Sequence, residues 1–398
     1  MEIREDIKNA HTELTQWRHR LHENPQTAFE EEFAFEFVKN KLDEFGIPYK
    51  TGYGKTGIVA TIEGSKNQSG KCVAFRADMD ALDIHEESGK TWRSLNEGKM
   101  HGCGHDGHMT MLLGAARYLK ENPNFDGKLN LIFQPAEETL EGARAMINDG
   151  LMEDFPCDEI YGMHNWPWIS RGKFATCKGT LMGSVSNMEV TIIGKAGHSG
   201  MINYAVDPVV IAAEIITSMQ TLISQRTSPM DPAIIYFPIL ETGVLDTGIV
   251  PEKAILKGII RTFNVGLRSE LEQRARDLCN NIATGHGATA SVKIYSDSDE
   301  VFNHDVPTRT ASNVAASIVG AACVDTNYTP TMSGEDFGFF SCKAPSNFIF
   351  IGQKEPDNPK DASSYSLHSP YYDFNDEIIP IGVEYWVRLA EQSMPLKD

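Results

Sequence analysis

Met100-His101-Gly102-Cys103-Gly104-His105-Asp106-Gly107-His108 gathers three histidines, a thiol and a carboxylate between small residues, just ahead of a helical pattern from Met111 to Leu119. Gly102, Gly104 and Gly107 allow turns that side-chain-bearing residues resist, so donor atoms from alternate residues converge on one point. Cys103 and His105, two positions apart, are both ligands suited to a borderline-soft divalent ion. A Cys-x-His pair alone also fits a glycine-rich turn with a buried thiol and a satisfied core histidine. Partners elsewhere in the chain decide between the two.

Upstream, the apolar run Cys72-Val73-Ala74-Phe75 reads as a strand buried on both faces, as in an α/β sheet, and it ends at Asp78 and Asp80. Open α/β sheets place ligands at such carboxyl ends, although a single Asp there commonly just stabilises a turn. Downstream, Lys128 to Phe133 is a second such strand, stopped by Pro135 and followed by Glu137-Glu138. Glu159 to Asn165 is a third, ending in His164. Three successive strand ends thus deliver potential ligands. An acidic pair also suits a solvated helix N-terminus, so Glu137-Glu138 alone is ambiguous. In a metal site, adjacent glutamates point apart, leaving one to bind an ion and its neighbour to take a proton from water.

From Met182 the pattern changes. Ser186 to Ile193 alternates like an antiparallel strand, followed by a flexible Gly194-Lys195-Ala196-Gly197-His198-Ser199-Gly200 turn. An amphipathic helix over 208–222, strands at 233–239 and 253–263, a helix over 267–283 and a strand at 288–295 complete a β-α-β-β-α-β order. The expectation is an α/β catalytic domain, a mixed sheet flanked by helices over 1–182 and 297–398, with a ferredoxin-like α+β domain over 183–296 inserted in it. A helix at 311–318, the polar turn Ser333 to Gly338, a strand at 347–352, His368 and a helix near 380–392 close the first domain.

At 398 residues two domains are expected. A formal net charge of -19 argues against nucleic-acid and anionic membrane partners. No apolar run approaches the ~20 residues that cross a bilayer, and the charged N-terminus resembles neither a signal nor a transit peptide. Seven cysteines without framework spacing fit reduced thiols, and a cytoplasmic location is expected.

Taken jointly, Arg76–Leu82, Met100–Leu119, Gln134–Glu138, His164, Gly194–Pro208, Arg261, Ser333–Phe337 and His368-Ser369-Pro370 resemble the aminoacylase/carboxypeptidase-G type of dinuclear metallopeptidases. The motifs are most similar to the branch of N-acyl-amino-acid amidohydrolases that includes hippurate hydrolases, N-acetyldiaminopimelate deacetylases and auxin-conjugate hydrolases. The resemblance implies that Cys103, His105, Glu138, His164 and His368 bind two divalent ions per subunit, zinc or manganese, with Glu137 as general base. It implies that His198 reaches a neighbouring subunit's site in a homodimer and stabilises the oxyanion, and that Arg261 binds the substrate carboxylate. By residue type alone, His198 also reads as an exposed turn histidine and Arg261 as a surface strand arginine.

The implied activity is hydrolysis of N-acyl amino acids. A dipeptidase or carboxypeptidase using the same site is the alternative, and Glu137 beside Glu138 argues against a non-catalytic metal store. Two departures fall in the inserted segment. Met201-Ile202-Asn203-Tyr204 stands where relatives commonly carry Pro-His, and Gly248-Ile249-Val250-Pro251 where they show Asn-Val-Ile-Pro. Trp166, Trp168 and Tyr204 are aromatic candidates for an acyl pocket, with packing as the competing role.

Overall fold

The structure, a computed structural model, describes residues 1–356, 358 and 361–396. Residues 357, 359, 360, 397 and 398, which sequence assigns to the first domain, lie outside the described residues. The chain divides into two compact units. The first comprises Met1–Leu181, Val301–Pro330 and the chain from Asp336 onward. The second is Met182–Glu300 with Thr331–Glu335, so it takes in a short later segment besides the stretch expected at 183–296.

The first unit is built on an eight-stranded mixed sheet in the order Tyr49–Tyr53, Gly57–Glu63, Lys128–Gln134, Cys72–Asp78, Glu159–Ser170, Ser346–Lys354, Phe174–Ala175 and Val324–Asp325. The four inner strands, Lys128–Gln134 to Ser346–Lys354, run parallel. Their apolar runs are buried because helices supply the rest of one core. Phe75, Leu131 and Ile349 share it with Leu14, Val38, Leu112, Val314 and Trp386 from the helices His11–His22, Glu32–Phe45, His105–Glu121, Asp305–Val319 and Ile379–Ser393. Phe75 stacks on Trp386 with ring centroids 4.7 Å apart. Burial of each such side chain stabilises by ~1.5–3 kcal/mol.

The central helix starts at His105, six residues before the apolar pattern suggests. Gly104, at φ 92°, supplies the left-handed turn into it. Gly107 is helical, and its missing side chain serves packing: a Cβ there would lie 2.3 Å from the Phe374 ring.

The second unit carries an antiparallel sheet in the order Ala233–Glu241, Lys253–Thr262, Ser184–Ile193 and Thr289–Ser298. Helices Pro208–Arg226 and Val265–Gly285 share its core through Ile211, Ile215, Met219, Leu271 and Cys279. Each helix starts on a side-chain cap: Asp207 accepts from the Val209 amide and Asn264 from the Leu267 amide. The main strands and helices follow one another as strand, helix, strand, strand, helix, strand.

Candidate metal centre

Donor atoms converge where the parallel strands of the first unit end. One atom from each of Cys103, His105 and Glu138 lies within 4.8 Å of the others, and Asp78, His105, His108 and His164 form an overlapping group. His105 is the first residue of the central helix, so the Gly102 and Gly104 backbone carries Cys103 over the same point. Glu138 comes from the turn after Lys128–Gln134, and His164 from Glu159–Ser170. His368 returns from the far end of the chain with its Nε2 3.3 Å from a Glu138 oxygen. Its amide donates to the Gly102 carbonyl at 2.9 Å, tying it to the same loop.

The imidazoles differ in how their ring nitrogens are bonded. His105 Nδ1 donates to the Asp80 carbonyl at 2.9 Å, which leaves Nε2 bare and 3.8 Å from Glu138 Oε1. His164 Nδ1 donates to the Asn165 carbonyl at 2.7 Å, which leaves Nε2 3.4 Å from Cys103 Sγ. A backbone acceptor on one ring nitrogen is how ligating histidines are oriented. His108 differs, with both nitrogens engaged at 2.6 Å, one by Asp78 and the other by Asn165. Asp78 is held in turn by Arg76 at 2.7 Å, and Arg76 pairs with Asp336 at 3.0 Å. Sequence singled out Asp78, but not the supporting roles of His108, Arg76 and Asn165. His108 was detectable, since the spacing from His105 to His108 places both on one helix face.

Two buried atoms in this cluster, His105 Nε2 and Glu138 Oε1, have no hydrogen-bond partner. An unpaired buried nitrogen facing an unpaired carboxylate oxygen fits a cation between them. The crowded carboxylates set the electrostatics of the cluster. Burial, together with Glu138, Glu137 and Asp78, pushes the Cys103 thiol well above its ordinary value. Burial disfavours charge on His105, but Asp78, Asp80 and Glu138 outweigh it and push the ring up to about 10. For Asp78, burial is outweighed by His105, His108 and Arg76, which hold its carboxyl well below the usual range. A bound cation would reverse the situation of the thiol, because coordination favours thiolate.

Glu137 is buried beside Glu138, one of its oxygens 3.9 Å from His105 Nε2. His198 and Arg261 belong to the second unit. His198 is exposed and accepts from the Gly200 amide, and Arg261 is partly buried, donating to the Met332 carbonyl. Among the aromatic candidates, Trp166 is a packing residue: it is 5% exposed, stacks on Phe350 at 4.0 Å and donates to the Tyr328 hydroxyl. Trp168 and Tyr204 are exposed.

A buried thiol, imidazoles and carboxylates at the ends of a parallel sheet form a donor set suited to a divalent cation, with Glu137 alongside. The chain belongs to peptidase family M20/M25/M40, which matches residues 74–392. It is 35% identical to the hippurate hydrolase of Campylobacter jejuni, over 98% of this chain and 99% of that protein. It is 32% identical to the N-acetylcysteine deacetylase of Bacillus subtilis, over 96% and 97%. Among solved structures, a dinuclear metal-binding M20 peptidase from Bacillus subtilis superposes with a TM-score of 0.81 at 29% identity, over 97% of this chain and 99% of that one. Among the described residues, no helix is long and apolar enough to cross a membrane.

Proposed function

We propose that this protein hydrolyses the amide bond of N-acyl amino acids, with Cys103, His105, Glu138, His164 and His368 holding two divalent cations and Glu137 acting as general base. The observation that carries this reading is the buried pair of unbonded atoms, His105 Nε2 and Glu138 Oε1, with Glu137 next to them. Cations held there supply Lewis acidity toward the amide carbonyl and toward water. Zinc suits the soft Cys103 donor best, and manganese is the alternative.

Glu137 takes a proton from water as the water oxygen bonds to the acyl carbon. It then returns that proton to the amide nitrogen as the C–N bond breaks, so acid and free amino acid leave and Glu137 is again a carboxylate. His198, donated by a neighbouring subunit, stabilises charge on the carbonyl oxygen, and Arg261 pairs with the substrate carboxylate. Exposed Ile234, Tyr236, Ile239 and Leu240 on the outermost strand of the second unit support a homodimer. The charge of -19 and seven cysteines without disulfide-framework spacing support a cytoplasmic location.

The test is turnover of N-acetyl, N-benzoyl and indoleacetyl amino acids beside dipeptides, with metal-reconstituted protein and a Glu137→Gln control. Turnover of N-acyl amino acids with a dead control supports the reading. Turnover of dipeptides alone moves the substrate class, and no turnover with metal bound overturns it.

A further inference from the structure

Glu31 lies at the start of the helix Glu32–Phe45, far in sequence from the metal centre, and is completely buried. One of its carboxylate oxygens accepts two backbone amides, Phe29 at 2.8 Å and Ala136 at 2.9 Å. The other accepts the Thr56 hydroxyl at 2.6 Å. Both amides belong to residues in the left-handed region, Phe29 at φ 61° and Ala136 at φ 53°. Residues with side chains stay in that region only when their surroundings hold them.

Ala136 immediately precedes Glu137 and Glu138, so its dihedral angles set the direction in which both carboxylates leave the sheet. Its peptide is pinned at the other end too, because the Ala136 carbonyl accepts the amides of Glu141 and Gly142 at 3.2 and 3.0 Å. Asp80 takes the Glu138 amide at 2.9 Å and Asp336 the Ala143 amide at 2.8 Å. Of these three buried carboxylates, Glu31 is the one that holds the left-handed residue itself.

We propose that Glu31 is a positioning residue, whose carboxylate holds Ala136 left-handed and thereby aims Glu137 and Glu138. The inference rests on the reading of Glu137 as base and Glu138 as cation ligand. Because both amides share one oxygen, a glutamine keeps the clamp: its carbonyl accepts them, and its NH2 faces a Thr56 hydroxyl that accepts as well as donates. Because glycine enters the left-handed region freely, A136G removes the need for a clamp.

The experiment compares E31A, E31Q, A136G and E31A/A136G in the metal-loaded enzyme, with circular dichroism to establish folding and chelator competition to measure zinc affinity. Expected are a fall in kcat on the order of 100-fold for E31A with KM little changed, and weaker zinc retention. E31Q is expected near wild type, and E31A/A136G at least about tenfold above E31A. If E31A does not fold, E31D, whose carboxylate is withdrawn by one methylene, takes its place. A folded E31A with wild-type kcat overturns the proposal, as does an E31A loss that is equal with and without A136G, or an E31Q as impaired as E31A. E137Q separates the two levels: an active E137Q refutes the underlying reading, whereas a dead E137Q beside an unimpaired E31A refutes this inference alone.

Discussion

His105 Nε2 and Glu138 Oε1 face each other at 3.8 Å, buried, each without a hydrogen-bond partner. Leaving two such groups unpaired costs several kcal/mol unless a cation satisfies both. Chelation followed by desalting is therefore expected to abolish turnover, and zinc or manganese to restore it. His105→Ala and Glu138→Ala are each expected to lower bound metal in elemental analysis. Full metal content in both variants would remove these residues from the ligand set.

Glu137 sits beside the donors, one of its oxygens 3.9 Å from His105 Nε2. Glu137→Gln keeps its size and removes its basicity, so kcat is expected to fall about 10²- to 10⁴-fold while elemental analysis finds metal content unchanged. Loss of metal together with activity would instead make Glu137 a ligand.

His198 is exposed on its own unit, so its removal leaves the donor cluster untouched. His198→Ala is expected to lower kcat about 10²- to 10³-fold at constant metal content, as loss of an oxyanion donor does. If the residue acts across a dimer, mixing His198→Ala with Glu137→Gln protein regenerates activity in hybrid dimers. A mixture that stays as inactive as its components argues for action within one chain.

The turn that carries the two glutamates closes tightly on itself. A Cβ on Gly142 would lie 1.6 Å from the Pro135 carbonyl oxygen, so Gly142→Ala must displace backbone. A loss of about 3 kcal/mol, read in thermal or denaturant melts, is expected together with reduced kcat. Gly285, where an added Cβ meets nothing within 4 Å, is the control, and Gly285→Ala is expected to be neutral or slightly stabilising.

Arg18 is buried between Asp373 and Asp376, at 2.9 and 2.7 Å. Burial raises the pKa of Asp376, but Arg18 and His19 outweigh it and hold the carboxyl below its ordinary value. A depressed carboxylate contributes stability above its unfolded pKa of about 3.9, and that stability is lost as pH falls through the lower folded value. Melting temperature is thus expected to drop steeply below about pH 4, and less steeply in Asp376→Asn. Arg18→Met strands buried charge and is expected to cost about 3–5 kcal/mol in denaturant melts at neutral pH.

The strands were legible because parallel inner strands need apolar residues on both faces, and 73–75 and 129–133 supply them. The convergence of donor residues was legible because glycines, histidines and carboxylates punctuate the strand ends. The helix start was misplaced because Gly107 reads as a turn, whereas it is a helical glycine chosen by the Phe374 ring. Trp166 left its role open because local sequence does not reveal Phe350 and Tyr328. The supports of the site, Arg76 with Asp336 and Asn165 with Gln353 and Tyr372, join residues far apart in the chain, and pairings of that kind leave no local pattern. Thr331–Glu335 joins the second unit for the same reason: Gly183 donates to the Thr331 carbonyl at 3.0 Å, a tie between distant segments.

Glu138 and His368, 3.3 Å apart, bracket most of the second half of the chain. During synthesis the ribosome has delivered both glutamates, the cysteine and two histidines long before His368 emerges. A nascent chain that stops before His368 therefore lacks one member of the proposed ligand set. If His368 is a cation ligand, hydrolytic competence waits until the chain has been synthesised past it.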